Sequence, residues 1–281
     1  MNTNEKILPL RRHSDRDDIP KGSFGNEILL NEKGKQNAQR FVQSLAEMNL
    51  KIKVLNEINQ KGYCVLKNWE DEEIIQILLN SVIRSNGELT TEVFEYWTEG
   101  KLPSLLLQIF GKHVYGHTCN VRNKNKINFK KIPYHQDSAY ILPSSFDTEE
   151  FLQITCWLPL VDVSIENGTL EVSDTFENKQ VSHFLKNGYM QICENINSIP
   201  LILKSGSIVL MHHNLIHSSK ENKTNNTRWS IDFRYQNIQT PFLGMTQGFE
   251  IYPKRQLNYN DFNLRRVRFE NSQTHKYSLI K

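Results

Sequence analysis

The chain of 281 residues has only four cysteines, and Cys64, Cys119, Cys156 and Cys193 are far apart with no C-x-x-C pair among them. That spacing signals neither a zinc site nor a disulfide frame, and it fits free thiols in a reducing compartment. Long apolar runs are missing too. None approaches the roughly 18 residues of a membrane span, and the polar stretch Met1 to Lys6 has no apolar core for a signal peptide. A large charge of one sign is also absent. The formal charge of +3 is too small to argue for nucleic acid, and the basic groups Lys124–Lys131 and Arg265–Arg268 read as solvated faces. The expectation is a soluble, cytoplasmic protein that acts on a small molecule, with neither nucleic acid nor membrane as partner. What is present suffices for a sizeable core: 38% apolar residues, of which aromatics alone make up 10% of the chain.

Along the chain, residues 1–26 are polar and charged and read as an N-terminal arm. Residues 27–281 read as a single domain, with a helical part to about 111, a β core from about 112 to 237, and a tail at 238–281. Phe41, Leu45, Met48, Ile52, Leu55 and Ile58 recur at three-to-four spacing and predict a helix over Lys35–Asn59. Gly62–Leu66 reads as a strand. A second helix opens at Asp71-Glu72-Glu73, with acidic residues in the first turn suiting its dipole, and a third covers Leu102–Phe110. After Gly111 the pattern turns to strands: His113–Val121, Gln153–Leu160, Thr169–Val172, Ser207–Met211 and Trp229–Tyr235. Asn167-Gly168 predicts a hairpin, and Ser205-Gly206 a second turn. In the last strand Arg228, Ser230, Asp232 and Arg234 alternate with Trp229, Ile231, Phe233 and Tyr235. A polar inner face and an apolar outer face suggest a barrel with a wet interior, covered outside by the N-terminal helices.

The chemistry concentrates at Tyr134–Tyr140, Y-H-Q-D-S-A-Y. His135 and Asp137 are two apart, which on a strand sets both side chains on one face. A distant His would complete a two-His, one-carboxylate set with open positions for non-haem Fe(II). His212, His213 and His217 are candidates. His217 is preferred because Arg228 follows it eleven residues later, across an Asn- and Thr-rich turn that would return the chain to the metal. A guanidinium inside a barrel needs an anion. A structural pair with Asp232 is one reading. The other is a fork for a ligand carboxylate, and with three open metal positions that ligand is 2-oxoglutarate, leaving one position for O2. Ser219, two residues after His217, points the same way on a strand and can donate to the same carboxylate.

Taken together, H-Q-D at His135–Asp137, W-L-P-L at Trp157–Leu160, N-G-T-L-E-V at Asn167–Val172, G-S-I-V-L at Gly206–Leu210, H-S-S at His217–Ser219 and R-W-S at Arg228–Ser230 resemble the phytanoyl-CoA dioxygenase family. The resemblance runs from about Tyr63 to Tyr235. It implies a mainly β double-stranded β-helix (jelly-roll, cupin-like) barrel flanked by helices, and Fe(II)/2-oxoglutarate-dependent oxygenase chemistry. By it His135, Asp137 and His217 hold iron and act as the catalytic set, and Arg228, Ser219 and Gln136 bind 2-oxoglutarate. Trp157 would lie beside the cosubstrate. Asn120 is assigned to a further polar contact for which the family pattern has no clear counterpart here. The chain also departs from the family at Ser173–Phe176, where a P-G-S-H-like turn is common. A halogenase of this type replaces the metal carboxylate with a small residue, so Asp137 favours hydroxylation. Tyr115, Tyr134, Tyr140, the stretch Ile141–Phe151 and the tail after Gln236 are expected to line the substrate pocket. Two other readings are a 2-oxoglutarate-independent cupin-type metalloenzyme, which has no need of Arg228, and a non-catalytic jelly-roll binding protein.

Overall fold

A computed structural model describes residues 32–111, 113–125, 127, 131–140, 152–193, 195–237 and 249–251. The expected arm, nearly all of the tail, Arg265–Arg268 and the stretch Ile141–Phe151 lie outside these. The chain divides into two compact units, Met1–Ile52 and Lys53–Lys281. In the first, the described part belongs to helix α1 (Glu32–Lys61), whose Phe41, Leu45, Met48 and Ile52 are exposed.

In the second unit the end of α1 buries Val54 and Ile58 and leads into strand β1 (Tyr63–Leu66). Helix α2 (Glu72–Arg84) has Glu72 and Glu73 in its first turn and Arg84 in its last, a charge order that complements the helix dipole. Its buried stripe is Ile75, Leu78 and Val82, three to four residues apart as one helix face requires. Helix α3 (Thr91–Thr98) was not expected from the sequence; the Thr90 hydroxyl caps it by accepting from the Val93 amide. Helix α4 (Lys101–Phe110) carries Pro103 near its start, where the missing N–H has no helical partner to lose.

The strands that follow are β2 (Tyr115–Lys124), β3 (Ile132–His135), β4 (Gln153–Pro159), β5 (Leu170–Ser173), β6 (Phe184–Lys186), β7 (Tyr189–Gln191), β8 (Ser198–Pro200), β9 (Ile208–His212), β10 (His217–Ser219), β11 (Arg228–Gln236) and β12 (Phe249–Glu250). They form a six-stranded sheet in the order β1-β9-β4-β11-β2-β12, a four-stranded sheet in the order β3-β10-β5-β8, and the hairpin β6-β7. All recorded pairings are antiparallel. The architecture is the mainly β jelly-roll type, as two sheets that do not close into a barrel among the described residues. The sheets share a core in which Trp157, Val209 and Met211 of the large sheet meet Leu170 and Val172 of the small one. The outer face of β11 is covered as expected: Tyr96 of α3 packs on Phe233 at 5.5 Å, and Tyr235 donates its hydroxyl to the Trp97 carbonyl at 2.8 Å.

Two expectations about turns are corrected. Asn167-Gly168 does not join a hairpin, because β4 and β5 lie in different sheets. Ser205-Gly206 likewise connects β8 of the small sheet to β9 of the large one. Gly168 has a tighter reason to be glycine. Its φ is +83°, and a Cβ there would stand 2.6 Å from the Lys220 carbonyl and 2.9 Å from the Lys124 side chain. The turn is pressed against the strand that leaves the site.

Candidate metal and 2-oxoglutarate centre

His135 ends β3 and His217 opens β10, and the two are direct antiparallel partners. Their rings lie 4.3 Å apart, centroid to centroid. Asp137 joins them from the 3-10 turn Asp137–Tyr140, not from a strand. The same-face argument for H-x-D is therefore corrected: the turn brings the carboxylate inward, pinned by the Ser138 amide on the His213 carbonyl at 2.9 Å. All three side chains are buried, and their ligand atoms lie within 4.8 Å of one another.

The groups hydrogen-bonded to these three side chains suit a cation. His135 Nδ1 lies 2.9 Å from the Pro133 carbonyl and His217 Nδ1 lies 3.0 Å from the Leu215 carbonyl. A carbonyl only accepts, so each Nδ1 carries a proton, which leaves Nε2 as the ring nitrogen available to a metal. Burial, aided by the neighbouring His217, pushes His135 down to about 3 and keeps it neutral, the state a metal needs. Burial alone would raise Asp137, but the Arg234 guanidinium, both imidazoles and the Thr155 hydroxyl more than offset it and hold the carboxyl well below its usual range. Arg234 Nη2 donates to Asp137 Oδ1 at 2.7 Å and Thr155 Oγ1 to Oδ2 at 2.6 Å. Thr155 and Arg234 are cross-strand partners on β4 and β11, so one pair of strands orients the carboxylate from both sides. Two imidazoles and one ionised carboxylate are a donor set that fits Fe(II).

Arg228 begins β11 and is buried. Asp232 is not its partner: that carboxylate takes Arg122 Nε at 3.0 Å and the Asn120 amide at 2.8 Å. Among the described residues Arg228 donates to the Ser230 hydroxyl alone, at 3.1 Å, and its Nε has no partner. Its guanidinium carbon stands 5.4 Å from the Trp157 ring centroid. Burial pushes Arg228 down to about 10, so it stays charged at neutral pH. An unpaired buried charge is costly unless a ligand completes it.

The sequence reading missed Lys124, which it placed in a solvated basic cluster. Lys124 is buried, is the register partner of Arg228, and donates to Ser219 Oγ at 2.6 Å as well as to the Lys220 carbonyl. Burial and the nearby Arg228 push its ammonium down to about 7. The signal was available: Thr118, Asn120, Arg122 and Lys124 alternate with Cys119, Val121 and Asn123, and extending that strand by three residues turns Lys124 inward. Through Ser219, the group Arg228, Lys124 and Trp157 is continuous with His217, two residues away on β10.

Other expected residues have different surroundings. Gln136 is buried, but its amide donates to the Lys179 and Asn214 carbonyls and accepts from the Val181 amide. It ties backbone together between the two metal ligands. Asn120 serves Asp232. Tyr134 points to the opposite face from His135, with its hydroxyl 2.7 Å from Ser198 Oγ and 3.4 Å from Glu171; the expectation that it lines the pocket is corrected. Tyr140 does stand at the site, its ring edge-on to His135 at 5.7 Å and its hydroxyl accepting from the Met190 amide. His212 and His213 stack on each other at 4.1 Å, and burial lowers them to about 3 and about 4. Neither belongs to a three-ligand group among the described residues.

The sequence profile of the phytanoyl-CoA dioxygenase (PhyH) family matches residues 81–230. The chain belongs to that family. Its class is thus the Fe(II)- and 2-oxoglutarate-dependent oxygenase, and the donor set above fits both groups. A search of curated proteins finds no match. Among solved structures, the non-heme monooxygenase ThoJ is similar at a TM-score of 0.60 with 15% identity, covering 79% of this chain and 98% of that one. The α-ketoglutarate-dependent epimerase SnoN from nogalamycin biosynthesis gives 0.52 with 16% identity over 68% and 83%. EvdO2 from Micromonospora carbonacea var. aurantiaca, complexed with 2-oxoglutarate, gives 0.54 with 12% identity over 66% and 89%. At these identities the likeness is one of fold.

Proposed function

We propose that this chain hydroxylates an unactivated C–H bond of a small-molecule metabolite, consuming O2 and 2-oxoglutarate and releasing succinate and CO2. The observation that carries the reading is Arg228: a buried guanidinium without a carboxylate among the described residues, joined through Lys124 and Ser219 to the strand of a metal ligand. His135, Asp137 and His217 would hold Fe(II), which when bound supplies O2 activation coupled to decarboxylation of the 2-oxo acid. Arg228 and Lys124 would bind the distal carboxylate of 2-oxoglutarate, Arg228 through its fork and Lys124 as a point charge. Ser219 would orient Lys124 and offer a hydroxyl to the same carboxylate, and Trp157 would brace the guanidinium. Asn120 and Gln136 would act one step back, Asn120 by holding Asp232 and Gln136 by holding the backbone around the ligands. Residues 27–281 would form one catalytic domain. No helix among the described residues is long and apolar enough to cross a membrane, and the four cysteines are free; both support a cytoplasmic site of action.

A CoA thioester is not implied by the family's name. The test is a screen of amino acids, hydroxy acids and natural-product intermediates for substrate-dependent succinate release. Hydroxylation requires a product with one added oxygen atom, made by wild type and not by Asp137→Ala. Succinate release with a product of unchanged oxygen content would instead assign the same centre to desaturation, cyclisation or epimerisation.

A further inference from the structure

We propose that Arg234 is a second carboxylate-binding residue of this centre. It would receive a carboxylate from the substrate, or from the metal-binding end of the 2-oxo acid, once a cation has engaged Asp137. The inference rests on the metal reading of Asp137 given above and deepens it.

Arg234 lies on the same face of β11 as Arg228, Ser230 and Asp232. Its Nη2 is 2.7 Å from Asp137 Oδ1, in an ion pair whose side chains are 21% and 2% exposed. Its Nε is buried without a partner among the described residues. A guanidinium presents five N–H donors in a planar fork, and the one acceptor recorded here is the carboxylate a divalent cation would draw on. Once that carboxylate neutralises a cation, it no longer balances Arg234. The other carboxylate on this face is already committed, because Asp232 accepts from Arg122 Nε at 3.0 Å, Arg122 Nη2 at 3.3 Å and Asn120 Nδ2 at 2.8 Å. Among the described residues no other acid lies within ion-pair distance of Arg234. Loading the metal would therefore leave a fixed positive charge, with an unused Nε–H, beside the metal-ligating carboxylate. A carboxylate matches both its charge and its two-pronged geometry. Tyr140 and Thr155, which flank the same carboxylate and ligand, bring no charge.

The test uses Arg234→Gln and, as the variant that keeps the charge and guards against a folding artefact, Arg234→Lys. Three affinities are measured on each: Mn(II) alone, 2-oxoglutarate with Fe(II) under anaerobic conditions, and small carboxylic acids against their primary amides on Zn(II)-loaded protein by saturation-transfer NMR. Two results support the inference. A loss of about tenfold or more in 2-oxoglutarate affinity in Arg234→Gln, with Mn(II) affinity within about threefold of wild type and partial recovery in Arg234→Lys, assigns the carboxylate to the 2-oxo acid. Unchanged 2-oxoglutarate affinity, with an acid-over-amide preference present in wild type and lost in Arg234→Gln, assigns it to the substrate. The acid–amide arm needs no 2-oxoglutarate, so it reads the inference even where that cosubstrate fails to bind. The inference is overturned when both carboxylate affinities are unchanged, or when a fall in Mn(II) affinity alone accounts for the effect and makes Arg234 only a clamp on Asp137.

Discussion

Arg228 and Arg234 are the same residue type on one face of one strand, six positions apart, and the fold treats them in opposite ways. Arg234 has a built-in counter-ion in Asp137. Arg228 has none among the described residues; it is buried against Trp157 and donates to a serine hydroxyl. The strand thus holds one guanidinium that supports a metal ligand and one that lacks an anion until a ligand arrives. The lesson is that an interior arginine is not informative by itself. What decides its role is whether the chain supplies its partner, and whether a bound cation would draw that partner away.

The largest expected effect that sharpens this contrast is on cosubstrate binding. Truncating one member of a buried, hydrogen-bonded charge pair removes about 2–5 kcal/mol, so Arg228→Met should weaken 2-oxoglutarate by on the order of 100-fold while Mn(II) still binds. Isothermal titration measures both, and an undiminished 2-oxoglutarate affinity would break the comparison at its first member.

Next comes stability, where the two variants should differ in sign. In metal-free protein Arg228→Met removes an unpaired buried charge and should raise the unfolding free energy by about 1–3 kcal/mol. Arg234→Met leaves Asp137 with only the Thr155 hydroxyl. It should lower stability by about 1–3 kcal/mol, less than a fully dry pair because the guanidinium is partly exposed. Urea denaturation of the two variants side by side reads the difference, and changes of the same sign would refute it.

A smaller effect concerns pH. Lys124 sits at about 7 in the free site, lowered by burial first and then by Arg228 and Arg122, with Glu221 acting the other way. Binding an anion favours the ammonium form, so 2-oxoglutarate affinity should be level below pH 7. Above it the affinity should fall, by at most about tenfold per pH unit. The carboxylates of the ligand stay ionised across that range. Lys124→Met should bind more weakly and lose the slope; a slope that survives the substitution would place the titration elsewhere. Smallest of all is Trp157→Phe, which keeps a ring under Arg228 but weakens the cation–π contact. A loss of about two- to fivefold in 2-oxoglutarate affinity is expected from the ~0.5–2 kcal/mol range of such contacts.

Much of the centre was legible because its parts obey local rules. The alternation of β11 separates Arg228, Ser230, Asp232 and Arg234 from Trp229, Ile231, Phe233 and Tyr235, and H-x-S sets His217 and Ser219 on one strand; H-x-D also points to His135 and Asp137, although Asp137 reaches the site from a 3-10 turn and not by the strand rule. What a local pattern does not carry is which sheet a strand joins. Asn167-Gly168 has the composition of a hairpin turn, yet the chain there crosses from one sheet to the other. The same is true between His217 on β10 and Arg228 on β11: they are linked by a crossing, with Lys124 bridging the gap. Lys124 itself is easily passed over because a lysine at a strand's end next to other lysines looks solvated, although the alternation of β2, carried three residues further to the pairing with Arg228, turns it inward. Gln136 was misjudged for a related reason. The family resemblance implies a contact with 2-oxoglutarate, whereas the switch from strand to 3-10 turn sends its amide into the backbone.

The most direct measurement is an anaerobic titration of the metal-free protein with Fe(II) and 2-oxoglutarate, followed by the weak visible charge-transfer band of the chelate. The band should form in wild type, weaken sharply in Arg228→Ala and be absent in His135→Ala. Protein that binds Fe(II) yet develops no band with 2-oxoglutarate would contradict the assignment of this centre.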